Sequence, residues 1–228
     1  MNWREKDGFQ FGSHHVEVGD APMLQAYLSY DGIALHCWTI SDPKKHLNAR
    51  HAVHQTIDSN LSLLREALLK RDKPNSDAFE GAVSLLLTLL GFSIGHYGLL
   101  PKLQDGPDIV AFTPAGNVAV VECTIGLIDQ KDKLAKLVQR RQLVEKHLAQ
   151  AGYSSAEVQS VIVTPLAPEE LEVELDRARE HGVAVVCKPN IEKALNQIAL
   201  PPDADLFFKE LKGTIPMSGL QSLLTTRW

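Results

Sequence analysis

The 228-residue chain has little cysteine, no excess of positive charge and no long apolar run. Its three cysteines, Cys37, Cys123 and Cys187, are far apart, odd in number and without a CxxC pair. That pattern argues against a disulfide framework and favours a reduced, cytoplasmic setting. The longest apolar run, Leu85 to Phe92, is interrupted by Thr88 and Gly91. It falls far short of the roughly 20 residues of a membrane span, so no membrane partner is expected. The opening residues, Met1 to Asp7, carry no signal-peptide core. A net charge of −5 argues against tight nonspecific nucleic-acid binding, which rests on basic groups meeting phosphates, but leaves room for a local basic stripe. No zinc finger or helix-turn-helix pattern is present to read bases. What remains is the ordinary composition of a globular protein, with one large domain or one domain and an extension.

One stretch departs from that ordinariness. Gly106-Pro107-Asp108-Ile109-Val110-Ala111-Phe112 and Asn117-Val118-Ala119-Val120-Val121-Glu122-Cys123 read as two apolar strands around Thr113-Pro114-Ala115-Gly116. Pro at the second turn position and Gly at the fourth fit a type I turn followed by a G1 bulge. In that register Phe112 faces Val118, Val110 faces Val120 and Asp108 faces Glu122, with opposed Cβ atoms roughly 4.5–5.5 Å apart. A four-residue loop would shift the register and put the acids on opposite faces. Two carboxylates so close repel unless a proton or a cation lies between them, and a hard divalent ion such as Mg²⁺ suits oxygen ligands. The competing reading has Asp108 capping the strand and Glu122 paired with a lysine.

Around this hairpin the chain reads as follows. Residues 1–73 form a β-rich N-terminal region ending in a helix. Phe9–Phe11, His15–Val18 and Ile33–Ile40 suggest strands, Met23–Tyr30 a strand or short helix, and Asp31-Gly32 a turn. Six histidines lie here; His51 and His54 are one helical turn apart, but no carboxylate or cysteine completes a ligand set. Asp58-Ser59-Asn60 can cap a helix to about Arg71, striped by Leu61, Leu64, Leu68 and Leu69. A break at Lys73-Pro74-Asn75-Ser76 sets the expected domain boundary, and residues 74–200 form the main domain. Ser76 or Asp77 caps a helix ending at Gly91, with Glu80 in its first turn, where an acid complements the helix dipole. A strand follows to His96. After the hairpin, a basic helix runs from Asp129 to about Gln150 and carries Lys131, Lys133, Lys136, Arg140, Arg141 and Lys146. Strands at Val158–Thr164 and Val183–Cys187 alternate with helices from Pro168 and Asn190. Continuous apolar strands between helices predict an α/β sheet covered on both faces. Residues 201–228 read as an irregular C-terminal appendage with a short helix from Asp205 to Leu211.

Phe79-Glu80, Val83, Leu86-Leu87, Leu90-Gly91-Phe92, Gly106-Pro107-Asp108-Ile109 and Val120-Val121-Glu122-Cys123-Thr124, with the later strands, stand in an order that resembles the restriction-endonuclease-like, or PD-(D/E)XK, nuclease superfamily, and within it the Mrr-type branch. The resemblance covers about residues 76–200. It implies an α/β, restriction-endonuclease-like core, a mixed central sheet flanked by helices, beside the small β-rich N-terminal region. It implies a metal-dependent endonuclease that hydrolyses phosphodiesters, with DNA as the expected nucleic-acid partner and Mg²⁺ or Mn²⁺ as cofactor. Asp108 and Glu122 would bind the metal and Glu80 would support it. The family's lysine, two residues after the second acid, is replaced by Thr124. Either a lysine has migrated, with Lys131, Lys133 and Lys136 as candidates and Lys133 favoured, or catalysis is lost and the fold serves as a nucleic-acid or protein-binding module. The N-terminal region could instead mediate a homodimer.

Overall fold

The computed structural model describes residues 2–6, 9–42, 45, 47–71, 75–99, 106–128 and 133–211. The chain divides into two compact units, residues 1–47 and 48–228.

The first unit is built from two antiparallel pairs. Strand β1 (Asn2–Lys6) pairs with β2 (Phe9–Ser13), and β3 (Met23–Tyr30) with β4 (Ile33–Ser41). Asp31 and Gly32 both take positive φ, +50° and +78°, as a two-residue hairpin turn with matching right-handed twist requires. Met23–Tyr30 is therefore a strand rather than a helix. His15–Val18, expected as a strand from its alternation, lies outside any strand. Alternation alone supplies no partner strand, and the segment ends instead in a turn in which Ala21 N donates to Val18 O at 3.1 Å.

The second unit is mixed α/β. Strands β5 (Ser93–His96), β6 (Ile109–Phe112), β7 (Val118–Cys123), β8 (Val158–Val163) and β9 (Val183–Val186) lie in that spatial order. The first three are antiparallel, and β7, β8 and β9 run parallel. Around them stand α1 (Ala49–His54), α2 (Ser62–Leu69), α3 (Ser76–Leu89), α4 (Lys133–Gln150), α5 (Glu172–Glu180), α6 (Lys188–Gln197) and α7 (Ala204–Leu211). A single 3₁₀ turn, Pro168–Glu170, precedes α5.

Strand period decides which side chains meet which helices. Ala119, Val121, Val161 and Val163 share one core with Phe79, Val83 and Leu86 of α3, Leu64 and Leu68 of α2, Ile191 and Leu195 of α6 and Phe208 of α7. Val120 and Ile162 point the other way, into a second core with Leu134 and Leu137 of α4 and Ala178 of α5. Both sheet faces are thus buried. The expected break near residue 74 falls inside this unit, because Leu64 and Leu68 bring α2 into the α3 core. Helix α7 likewise buries Ala204 and Phe208, so this part of the expected appendage packs into the core. Residues 212–228 lie outside the described residues.

The helix caps follow local chemistry. Asp58 accepts from Ser62 N at 2.8 Å and Leu64 N at 3.0 Å, starting α2. His54 is half-buried, with its Nε2 3.9 Å from Asp58 Oδ2. Asn75 rather than Ser76 or Asp77 caps α3, accepting from Asp77 N and Ala78 N. Gly91 closes that helix region at φ +105°.

Asn48 joins three elements. Its Nδ2 donates to Leu89 O and Ile198 O, each at 2.7 Å, and its Oδ1 accepts from Arg50 N at 3.0 Å. Replacing it strands two buried carbonyls at the ends of α3 and α6, each costing ~1–3 kcal/mol. Asn48→Ala is expected to lower unfolding stability by about 3 kcal/mol in urea denaturation; a change below about 0.5 kcal/mol would show these bonds to be dispensable.

Candidate functional site

The hairpin has the register that brings its acids together. Gly116 lies at φ +88° and its N–H donates to Thr113 O at 3.0 Å, while Thr113 N donates to Asn117 O at 2.9 Å. Beyond this bulged turn Phe112 pairs with Val118, Val110 with Val120 and Ile109 with Val121. Continued one residue, the register sets Asp108 against Glu122, both on the α4 face of the sheet. Asp108 holds the end of β7, since its Oδ2 accepts from Cys123 N at 2.7 Å. Its own carbonyl accepts from Tyr97 N at 2.9 Å and Gly98 N at 3.0 Å, which ties the end of β5 to the same place.

Glu122 is the buried member of the pair, with 6 % of its surface exposed. Burial pushes its carboxyl up, and the charge of Asp108 pushes it further, to about 7. Arg140 and Lys133 oppose this and Glu80 adds to it. Arg140, on α4, hydrogen-bonds Glu122 Oε1 through Nη1. Arg140 lies seven residues beyond Lys133, so two helical turns return both to one face. The competing reading of a basic partner for Glu122 is therefore realised, with arginine in place of lysine.

Glu80 comes from α3, on the opposite side of the sheet. Its Oε1 lies 2.5 Å from His96 Nε2 at the end of β5. Burial raises the Glu80 carboxyl, the His96 hydrogen bond lowers it, and Asp108 raises it again. Gly98 makes room for this carboxylate, because a Cβ there would stand 2.0 Å from Glu80 Oε1. The three acids meet electrostatically at Cys123, whose thiol is pushed well up by burial and then by Asp108, Glu80 and Glu122.

Lys133 donates from Nζ to Cys123 O at 3.2 Å, so its ammonium sits at the end of β7. Lys136 points to solvent, and Lys131 lies outside the described residues. Thr124 does not substitute for a lysine: its Oγ1 is within 3.4 Å of both Gly126 N and Gly126 O, and its backbone N–H donates to Val163 O. Its side chain closes the loop after β7. Arg140, His96 and Gly98 are the site residues that sequence reasoning did not single out. The seven-residue step from Lys133 was the available signal for Arg140; nothing in the sequence marked His96.

The donor set fits a hard divalent cation in its chemistry. Asp108 and Glu122 are facing carboxylates, and the Glu122 carboxyl is held near 7 first by burial and then by the Asp108 charge. Among the described residues, however, no group of three or more His, Cys, Asp and Glu stands ready to hold an ion. Glu80 is turned to His96 and Glu122 to Arg140, so Asp108 and Glu122 are the residues that would hold one, with Glu80 joining only on leaving His96.

The raised carboxyl fixes a sign. Between the usual carboxylate range and about 7, the unfolded chain releases a proton that folded Glu122 keeps, so this group makes stability fall as pH rises through that window. The shift corresponds to on the order of 3 kcal/mol. Thermal melts of wild type and Glu122→Gln from about pH 5 to about pH 8 are expected to move in the variant's favour by up to that amount. A difference that does not vary with pH would contradict the burial of this charge.

In comparisons with known proteins, no family model matches the chain and no curated protein matches it.

Proposed function

We propose that the chain is a metal-dependent nuclease of the restriction-endonuclease-like kind, hydrolysing phosphodiester bonds in DNA. The observation that carries this reading is the meeting of Asp108 and Glu122 on one face at the end of the β6–β7 hairpin, with the Lys133 ammonium bonded to the next carbonyl. The sheet order, antiparallel through β7 and parallel beyond it, supports the same fold.

Hydrolysis joins a water oxygen to phosphorus as one P–O ester bond breaks. A bound divalent ion lowers the pKa of water and offsets charge on the phosphoryl oxygens. The chain's own groups do the rest. Asp108, anchored by Cys123 N, and Glu122, oriented by Arg140, present oxygen ligands from two adjoining strands. Lys133 supplies a cation next to Glu122, where the family's lysine would stand, and stabilises developing phosphoryl charge. Its half-buried position makes that charge worth more than in water. Glu80 and His96 form a hydrogen-bonded pair on the α3 side. Exposed Lys136 and Lys146 on α4 can meet backbone phosphates and would make binding salt-dependent.

A second reading is favoured by the Arg140–Glu122 ion pair and by Thr124. In it the guanidinium stands in for the cation, catalysis is lost, and the fold binds nucleic acid or protein. Calorimetry with Mg²⁺ and Mn²⁺, followed by cleavage assays on duplex and single-stranded DNA, separates the two. The nuclease reading expects metal binding that Asp108→Ala removes. It expects cleavage to fall at least about a hundredfold in Asp108→Ala and in Glu122→Ala, and about tenfold or more in Lys133→Ala with metal affinity little changed. Unaltered cleavage in Asp108→Ala would overturn the site; no metal binding and no cleavage by wild type would favour the binding module.

A further inference from the structure

Glu122, one of the two carboxylates that face each other across the hairpin, is already engaged by a cation of the chain. Arg140 Nη1 donates to its Oε1. The Glu122 side chain is 7 % exposed and that of Arg140 20 %, so the arginine reaches from solvent to a carboxylate that is nearly closed off. Arg141, the next residue, is turned elsewhere: it donates to Gly182 O at 3.2 Å, and its Nε lies 3.6 Å from Glu145 Oε1. Lys133 is held at the same strand end by Cys123 O, 3.2 Å from its Nζ. Asp108 is bonded differently, to the backbone N–H of Cys123 at 2.7 Å. Of the two cations beside the pair, Arg140 is the one hydrogen-bonded to a carboxylate that would hold the metal.

A divalent ion and this guanidinium compete for Glu122. Both are positive, and like charges close together in a half-buried site repel strongly. Without an ion, two cations stand against two acids. An ion arriving alone overloads the site with positive charge, whereas an ion arriving with an anion does not. The substrate of the nuclease reading is such an anion. A guanidinium presents a planar fork of N–H donors that matches two phosphate oxygens, which an ammonium does not. A phosphate polarised by an ion on Asp108 and Glu122 stands next to Glu122, and Arg140 already reaches that carboxylate.

We propose that Arg140 serves two partners in turn: without substrate it holds Glu122 in the place of the metal, and with metal and DNA present it turns to the phosphate under attack and binds it. The side chain thereby couples the two ligands, each favouring the other's binding. The inference rests on the nuclease reading and adds to it a residue that withholds the metal site until substrate arrives.

The test compares the full chain with Arg140→Gln and Arg140→Lys by calorimetry and by cleavage. Titrations with Mn²⁺ are run without DNA at about pH 8.5, so that a proton does not take the guanidinium's place on Glu122. Arg140→Gln is expected to bind Mn²⁺ about tenfold more tightly than wild type; binding by this variant where wild type shows none supports the same competition. At saturating Mn²⁺ its cleavage of duplex DNA is expected to fall about a hundredfold. Arg140→Lys keeps the charge and loses the fork, and is expected to recover part of that cleavage. A merely structural role predicts weaker metal binding and slower cleavage together, so the opposed shifts are diagnostic. Metal affinity in Arg140→Gln equal to or below that of wild type overturns the competition, and unchanged cleavage overturns the phosphate role. In both cases the nuclease reading stands on wild-type cleavage and its loss in Asp108→Ala. Should Arg140→Gln not fold, Arg140→Lys decides: cleavage equal to wild type there overturns the proposal, and a fall of about tenfold supports it. Absence of Mn²⁺ binding and of cleavage in wild type and Arg140→Gln alike overturns the nuclease reading and this inference with it.

Discussion

A carboxylate on an interior strand is the constraint to which the second unit conforms. Glu122 lies on β7, the central strand of five, between Val121 and Cys123. Removing such a group from water costs several kcal/mol unless charge and hydrogen bonds compensate. The chain compensates from α4, where Arg140 reaches Oε1 and Lys133 reaches the adjoining carbonyl. It does not compensate fully, since Asp108 stands across the hairpin with the same charge. The bulged turn at Gly116 holds that opposition in place. A one-residue slip would carry Asp108 to the other face and leave Glu122 with Arg140 alone.

The acids do not all come from one side. Asp108 and Glu122 share the α4 face, whereas Glu80 and His96 lie on the α3 face. They converge because each stands where an element ends or begins: His96 closes β5, Asp108 precedes β6, and Glu122 lies one residue from the end of β7. At that end Cys123 feels all three charges. Placement at strand ends also gives access, since only there can a ligand reach carboxylates belonging to a sheet covered on both faces. Open α/β sheets commonly place their ligands at the carboxyl ends of parallel strands, and β7 and β8 present such ends here.

Much of this was legible in the residues. The Pro–Ala–Gly turn chemistry determines the register, and the register determines that Asp108 and Glu122 share a face. Apolar runs at 118–123, 158–163 and 183–186 mark strands because they are bounded by glycine, proline or polar turns. Other features depend on distance through space. Helix α1 is a single polar turn and a half, held by Asn48 bonding to carbonyls 41 and 150 residues away, and no local periodicity announces it. Helix α7 reads as an appendage because proline precedes it, yet Phe208 finds a place in the α3 core. His96 acquires meaning only when β5 pairs with β6 and brings it to Glu80. Gly98 is required by that carboxylate and not by its own backbone.

Thr124 shows how such a site can lack the expected lysine without losing its cation. Strand period puts residue 124 on the same face as Glu122, so a lysine there would add a third positive group beside Arg140 and Lys133. Two cations already stand beside Asp108 and Glu122, and a third would leave little net attraction for a divalent ion. Thr124 instead closes its own loop through Gly126 and adds no charge there. Burial first and the Asp108 charge second hold the Glu122 carboxyl near 7 against the pull of Arg140 and Lys133. Under the nuclease reading, positive charge comes from α4 rather than from the strand, and Asp108 and Glu122 would hold an ion arriving with the substrate. Under the binding-module reading the carboxylate pair would have no occupant, and the buried Glu122 carboxyl would be a standing cost to the fold.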